Sequence, residues 1–222
     1  MPQGPGGVIL FSEVHVNAPL GHRAIAFVDG QNLFHSARES FACTWPDYDV
    51  LLLAQAICAA RSWSLDHVRF YTGIPAPTRD PFWNGFWSSK LRMMSRQGVH
   101  VCSRPLHYRL ARVRLPDGSD HTVSVSEEKG IDVRIALDVM RLTHHRLLDV
   151  ALLFSQDQDL AELADEIREI AREQHRWIKI ACAFPRSSSS KNQRGIDRTD
   201  WISIDRKLYE SCLDWHDHRP RR

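Results

Sequence analysis

The stretch "AFVDGQNLFHSA", residues 26–37, decides how this chain is read. An apolar run that begins at Ala24 ends abruptly in Asp29-Gly30, and Asn32 follows at once. A short, continuous apolar run bounded by Arg23 and Asp29 suits a strand buried on both faces. Helical spacing takes over in 32–41, so the stretch predicts a strand-to-helix turn carrying a carboxylate and a carboxamide three residues apart. Turn chemistry alone favours Asp and Asn at such places. The rest of the chain decides whether more is meant.

The same alternation repeats outward from there. "DYDVLLLAQAICAARSW" predicts a helix capped by Asp49, "HVRFYTG" (67–73) a strand, and "DPFWNGFWSSKLRMMSRQG" a helix with Pro81 in its first turn and Gly98 as its stop. "VHVCSRPL" predicts a strand, and "YRLARVRLPDGSDHTVSV" a hairpin turning at Asp117-Gly118. Then come an amphipathic helix in "SEEKGIDVRIALDVMRLTHHR", a strand in "DVALLFS" (149–155), a helix in "DLAELADEIREIAREQ" and a strand in "WIKIACAF". After the polar loop "PRSSSSKNQRG", a strand "WISI" and a short helix "DRKLYESCLDW" follow, and no internal repeat is found. Strands alternating with helices predict a mainly parallel sheet covered on both faces. Such sheets bind ligands just beyond the carboxyl ends of their strands.

The totals suit a globular domain with appendages: 222 residues, 43% hydrophobic, 25% charged, net charge +2. No apolar stretch is long enough to span a bilayer, and no membrane partner is expected. The start, "MPQGPGGVILFSEVHVNAPLGHR", lacks the basic head and long apolar run of a secretory signal and reads as a flexible leader over 1–22. Five cysteines, an odd number without CxxC spacing, point to free thiols in a reducing cytoplasm. His144-His145 and His216/His218 lie among arginines and read as solvated surface rather than metal ligands. There is no global basic field, but "RPLHYRLARVR" (104–114) concentrates four arginines.

Acidic residues fall where the sheet rule looks for chemistry. Asp29 follows "AIAFV", and Asp157 and Asp159 follow "ALLFS"; they converge if those two strands are neighbours. Asp132 shares a helical face with Ile135, Ala136, Val139 and Met140. A carboxylate on that apolar stripe needs compensation beyond the roughly 1 kcal/mol of a helix N-terminus. Asp138 lies between Arg134 and Arg141 at helical spacing and reads as an exposed ion pair. Singly, each acid has an ordinary reading as turn or cap. Together they form an oxygen-rich cluster that suits Mg²⁺ or Mn²⁺, the ions that assist phosphodiester cleavage in such clusters.

"FVDGQNLFHSA", "EEKGIDVRIALDVM" and "ALLFSQDQDLAELADEI", in that order over residues 24–170, resemble the NYN family of PIN-like ribonucleases, in particular its bacterial LabA-like branch. "IKIACAF" followed by "WISI" fits the family's ending. The resemblance implies a three-layer α/β/α PIN-like fold, with a nuclease domain over 23–205 and a C-terminal helix and basic tail over 206–222. It implies Mg²⁺- or Mn²⁺-dependent cleavage of RNA, endonucleolytic in mode. The family's first Asp falls on Asp29 and its Asn on Asn32, the Asp of its Lys-Gly-x-Asp motif on Asp132, and its late acidic pair on Asp157 and Asp159. Asp29, Asp132, Asp157 and Asp159 would hold the metal, and Asn32 would reach a metal water or the scissile phosphate. Gln156 stands where the family has Gly, so the turn after that strand is expected to be altered or Gln156 to enter the crevice.

The substrate class expected is RNA, single-stranded or structured, tRNA included. Lys129 is a candidate for steadying a phosphate, and Arg109, Arg112 and Arg114 for a phosphate-tracking ridge on the hairpin. The alternative is a non-catalytic RNA-binding or regulatory module on the same fold, against which the intact acidic set argues. A haloacid-dehalogenase-like phosphatase would need a DxD start where this chain has Asp29-Gly30-Gln31, and a dinucleotide-binding turn would need more glycines than "DGQN" supplies.

Overall fold

The computed structural model describes residues 21–116 and 118–220. The leader therefore lies outside the described residues except for Gly21 and His22, as does Asp117 of the hairpin tip. Six parallel strands form the central sheet: β1 (Arg23–Asp29), β2 (Ser64–Ile74), β3 (His100–Pro105), β6 (Val150–Phe154), β7 (Lys179–Pro185) and β8 (Asp200–Ile204). Their order is β3-β2-β1-β6-β7-β8. A separate antiparallel ribbon, β4 (His107–Arg114) with β5 (Asp120–Glu127), is inserted after β3.

Side chains of β1 alternate between two cores, as a strand's period of two requires. Ala24, Ala26 and Val28 pack under α1 (Gly30–Phe41), α2 (Val50–Ala60), α3 (Pro81–Arg96) and α6 (Arg206–Ser211). Ile25 and Phe27 pack under α4 (Ile131–His144) and α5 (Ala161–Glu173). The result is the three-layer α/β/α arrangement of a PIN-like fold. β1 pairs with β2 on one side and β6 on the other. The chain order reverses at that junction, which opens a crevice at the carboxyl ends of β1 and β6.

Caps explain where the helices begin. Asp29 Oδ1 accepts from the Asn32 N–H at 3.0 Å, Asp49 from Leu51 and Leu52, and Asp80 from Trp83. Gly30 is needed for close approach, because a Cβ there would stand 2.4 Å from the Phe70 ring. The helix expected from Ser126 onward begins only at Ile131. β5 runs through Glu127, and Gly130 breaks the chain with φ +70°.

Two surface readings are corrected. Asp138 is buried, 2% exposed, and accepts from Arg69 (2.9 Å) and Tyr71 (2.9 Å) of β2 as well as from Arg134 and Arg141. Those partners hold its carboxyl below the usual range despite burial. His218 is also buried and lies 2.8 Å from Asp214. The C-terminal segment packs on the domain: Tyr209 and Cys212 join the core, and Asp214 pairs at 2.7 Å with Lys90, a fully buried ammonium that also donates to the Tyr48 carbonyl. The five cysteines are free and His144 and His145 are exposed.

Candidate active site

The crevice at the β1–β6 junction is lined by Asp29, Glu128, Ile131, Asp132, Asp157 and Asp159 and encloses about 220 Å³. Asp29 continues the Ile25–Phe27 face of β1, so its side chain emerges on the side covered by α4. Asp132 stands in the first turn of α4, half-buried. Asp157 caps the 3₁₀ turn after β6 by accepting from the Asp159 N–H at 3.1 Å. All four predicted carboxylates thus reach one crevice.

The alternation in "SQDQD" is what aims the last two. Asp157 and Asp159 face the crevice, while Gln156 and Gln158 face the loop before β8. Gln156 accepts from Ser36 Oγ (2.7 Å) and donates to the Arg194 carbonyl (2.7 Å); Gln158 donates to the Gly195 carbonyl (2.9 Å) and accepts from the Asp197 N–H. Gln156 therefore neither enters the crevice nor adopts a left-handed backbone; it fastens α1 to that loop. Asn32 Oδ1 accepts from the Gln156 N–H at 2.9 Å. It lies outside the crevice lining and locks the end of β6 to α1.

Glu128 is the residue that sequence reasoning missed. It sits between β5 and Gly130 and accepts from the Gly73 N–H at the end of β2. Burial, and then repulsion from Asp29, raise its carboxyl to about 7. Burial, followed by repulsion from Asp157 and Asp132, raises Asp29 to about 6 against the hydrogen bond from Asn32. Among the described residues none of the five carboxylates forms an ion pair with Lys, Arg or His. The donor set is all carboxylate oxygen, the chemistry of a hard divalent cation rather than of zinc or copper. As placed, no three acidic, imidazole or thiol groups among the described residues are spaced to enclose one ion. An ion would have to draw Asp159, which is exposed, and Asp157, which is half-buried and holds its own cap on the Asp159 N–H, towards Asp29 and its cap.

Only the root of the ribbon adjoins this crevice, through Glu128 next to the end of β5, while Arg112 and Arg114 pair with Thr122 and Asp120 at its far end. Pairing across the ribbon puts Arg112 and Arg114 on one face and Arg109 on the other. All three are exposed, and Arg109 and Lys129 lie near the same carboxylate, Glu127, at 3.5 and 3.8 Å. Lys129 does not line the crevice.

The model of the NYN domain family matches residues 23–198. Among solved structures, a protein of unknown function from Vibrio parahaemolyticus is similar with a TM-score of 0.52 and 21% identity, over 85% of this chain and 96% of that one, a likeness of fold alone. Fainter likenesses, which carry no argument, are to Acinetobacter baumannii MurG (TM-score 0.32, 9% identity, 82% of this chain and 45% of that one) and to a deacetylase of teicoplanin biosynthesis (0.31, 13%, 71% and 68%). No curated protein matches the chain.

Proposed function

From its membership of the NYN domain family, within the PIN-like nuclease superfamily, we propose that this chain is a divalent-metal-dependent ribonuclease that cuts RNA internally. The observation that carries the reading is a crevice with five carboxylates and, among the described residues, no basic partner, at the strand ends where such sheets bind ligands. Without a cation, burial first and mutual repulsion second raise the Asp29 and Glu128 carboxyls, and nothing basic offsets either among the described residues.

Asp29, Asp132 and Asp157 would hold Mg²⁺ or Mn²⁺, with Asp159 binding directly or through water. The ion would supply charge neutralisation on the scissile phosphate and activation of the attacking water. Asp29 is kept in place by its cap to Asn32, and Asn32 in turn fixes the Gln156 backbone from which Asp157 projects. Glu128, held by the Gly73 N–H, lines the same crevice and adds a fifth carboxylate to the set.

The test is Asp132→Asn, which keeps the helix and removes the charge. Defined single-stranded RNA, structured RNA and tRNA are incubated with Mg²⁺, Mn²⁺ or EDTA. Cleavage by the native chain only with a divalent ion, and its loss in the variant at an unchanged melting temperature, is the expected result. Native rates in Asp132→Asn would reject the assignment. RNA binding without cleavage under any ion would favour the regulatory module instead.

A further inference from the structure

Resting on the ribonuclease reading, we propose that the aromatic cleft next to the acidic crevice is a pocket for a nucleobase of single-stranded RNA flanking the scissile phosphate. The cleft holds about 260 Å³ between the start of α1, the end of β2, the start of α3 and the root of the ribbon. Its apolar lining is the rings of Phe34, Trp83 and Trp87, with Pro75 and Leu106. Phe34 and Trp83 are half-buried, with surface left to offer a ring.

The two cavities share a wall. Gly73 lines the cleft, its N–H holds Glu128 of the crevice, and its carbonyl faces Gln31 Nε2 at 3.5 Å. A Cβ at Gly73 would stand 2.3 Å from Leu106 and 2.7 Å from Glu128 Oε2. Gln31, two residues after Asp29, is the matching link on the α1 side. A strand whose phosphate lies over the acids therefore has its neighbouring base at this opening.

The chemistry of the cleft suits a base. Five carboxylates give a phosphodiester no attraction until a cation is present, so affinity must come from elsewhere on the strand. Stacking on aromatic rings is the sequence-tolerant source of affinity for single strands. The Gln31 amide, the Ser126 hydroxyl and the His35 ring at the rim can hydrogen-bond a base edge. Asp80, which lines the cleft, is engaged in capping Trp83. Cations flank the cleft: Arg38 lies over Phe34, and Arg79 over Tyr108. A base inside a duplex cannot enter, because it stays in its stack.

The experiment measures binding of fluorescently labelled RNA octamers to the full chain in EDTA at low salt. One octamer carries all its bases, and a second has the same backbone with abasic residues. Phe34→Leu and Trp83→Leu keep bulk while removing the ring; Gln31→Ala probes the edge contact and leaves the core untouched, so the test survives if Trp83→Leu does not fold. The native chain should prefer the base-bearing strand about tenfold, and each ring variant should lose most of that preference while binding the abasic strand as before. Equal binding of both strands by the native chain, or variants that keep the preference, would overturn the pocket. Variants that weaken both strands alike would overturn it too. Cleavage is scored separately with Mg²⁺: a base preference without cleavage sinks the nuclease reading and leaves the pocket, and cleavage without a base preference does the reverse.

Discussion

Replacing Asp29 by Asn should stabilise the metal-free protein, and by an amount that depends on pH. Asn keeps an amide oxygen for the Asn32 N–H, so the cap survives. What disappears is a buried charge facing Asp157 and Asp132. A carboxyl raised from 3.8 to about 6 makes the folded state bind more protons than the unfolded state in that window, so stability falls as pH rises through it. The penalty is absent below pH 3.8 and complete above about 6. At about 1.4 kcal/mol per pH unit it reaches about 3 kcal/mol at pH 8 and roughly half of that at pH 5. For a chain of this size that is a rise of about 6–12 °C in melting temperature at pH 8. The assay is thermal unfolding of both proteins in EDTA at pH 5 and pH 8. Saturating Mg²⁺ should then close most of the gap: at a hundredfold excess over its Kd one bound ion adds about 2.7 kcal/mol to the native chain. If Asp29→Asn is less stable than the native chain at pH 8 in EDTA, the carboxylate is held by attraction rather than penalised by burial and repulsion, and the reasoning fails.

Asp138→Ala should cost about 3–5 kcal/mol in urea unfolding, because it strands the buried Arg69 guanidinium and the Tyr71 hydroxyl; a loss under 1 kcal/mol would show the network to be decorative. Replacing Arg112 and Arg114 by Gln should weaken RNA binding at low salt and flatten its salt dependence by roughly 0.7 per lost phosphate contact, with metal affinity unchanged; a native slope would remove the ribbon from the RNA path. Gln156→Ala should loosen the loop around 192–194, read as faster proteolytic nicking there, since Gln156 bridges Ser36 of α1 to the Asn192 and Arg194 carbonyls, while Glu39 and Ser40 of α1 keep their own hold on Lys191, Asn192 and Ser190.

Patterns with local causes were legible in the sequence. Buried strands show as apolar runs, and the caps at Asp29, Asp49 and Asp80 follow from residue preference, so element order and the convergence of four acids could be read. That Asp29 and Asp157 meet depended on β1 and β6 pairing, which no local pattern encodes. Residues whose role is set by distant partners were misread. Asp138 showed its helical neighbours Arg134 and Arg141 but not Arg69 and Tyr71 on β2. Glu128 lies between a strand and a helix, where no periodicity marks a side chain, and its partner Gly73 is 55 residues away. The one available signal was its spacing, four residues before Asp132. Gln156, expected to disturb the turn, instead ties α1 to the loop before β8.

The Lys90–Asp214 pair makes the last stretch of the chain part of the charge balance of the interior. Lys90 is 0% exposed, and burial lowers its proton affinity by more than Asp214 raises it. The family match ends at residue 198, before β8, α6 and Asp214. Trimming the protein to that boundary would leave an ammonium group sealed in apolar surroundings without its counter-ion, a defect of about 3–5 kcal/mol, before counting the uncovered edge of β7. A nick as late as residue 213 would have the same consequence if the released peptide diffused away. The fitness of this fold for expression, tagging or proteolytic processing is therefore decided at its carboxyl end, far along the chain from the acids that would do the cutting.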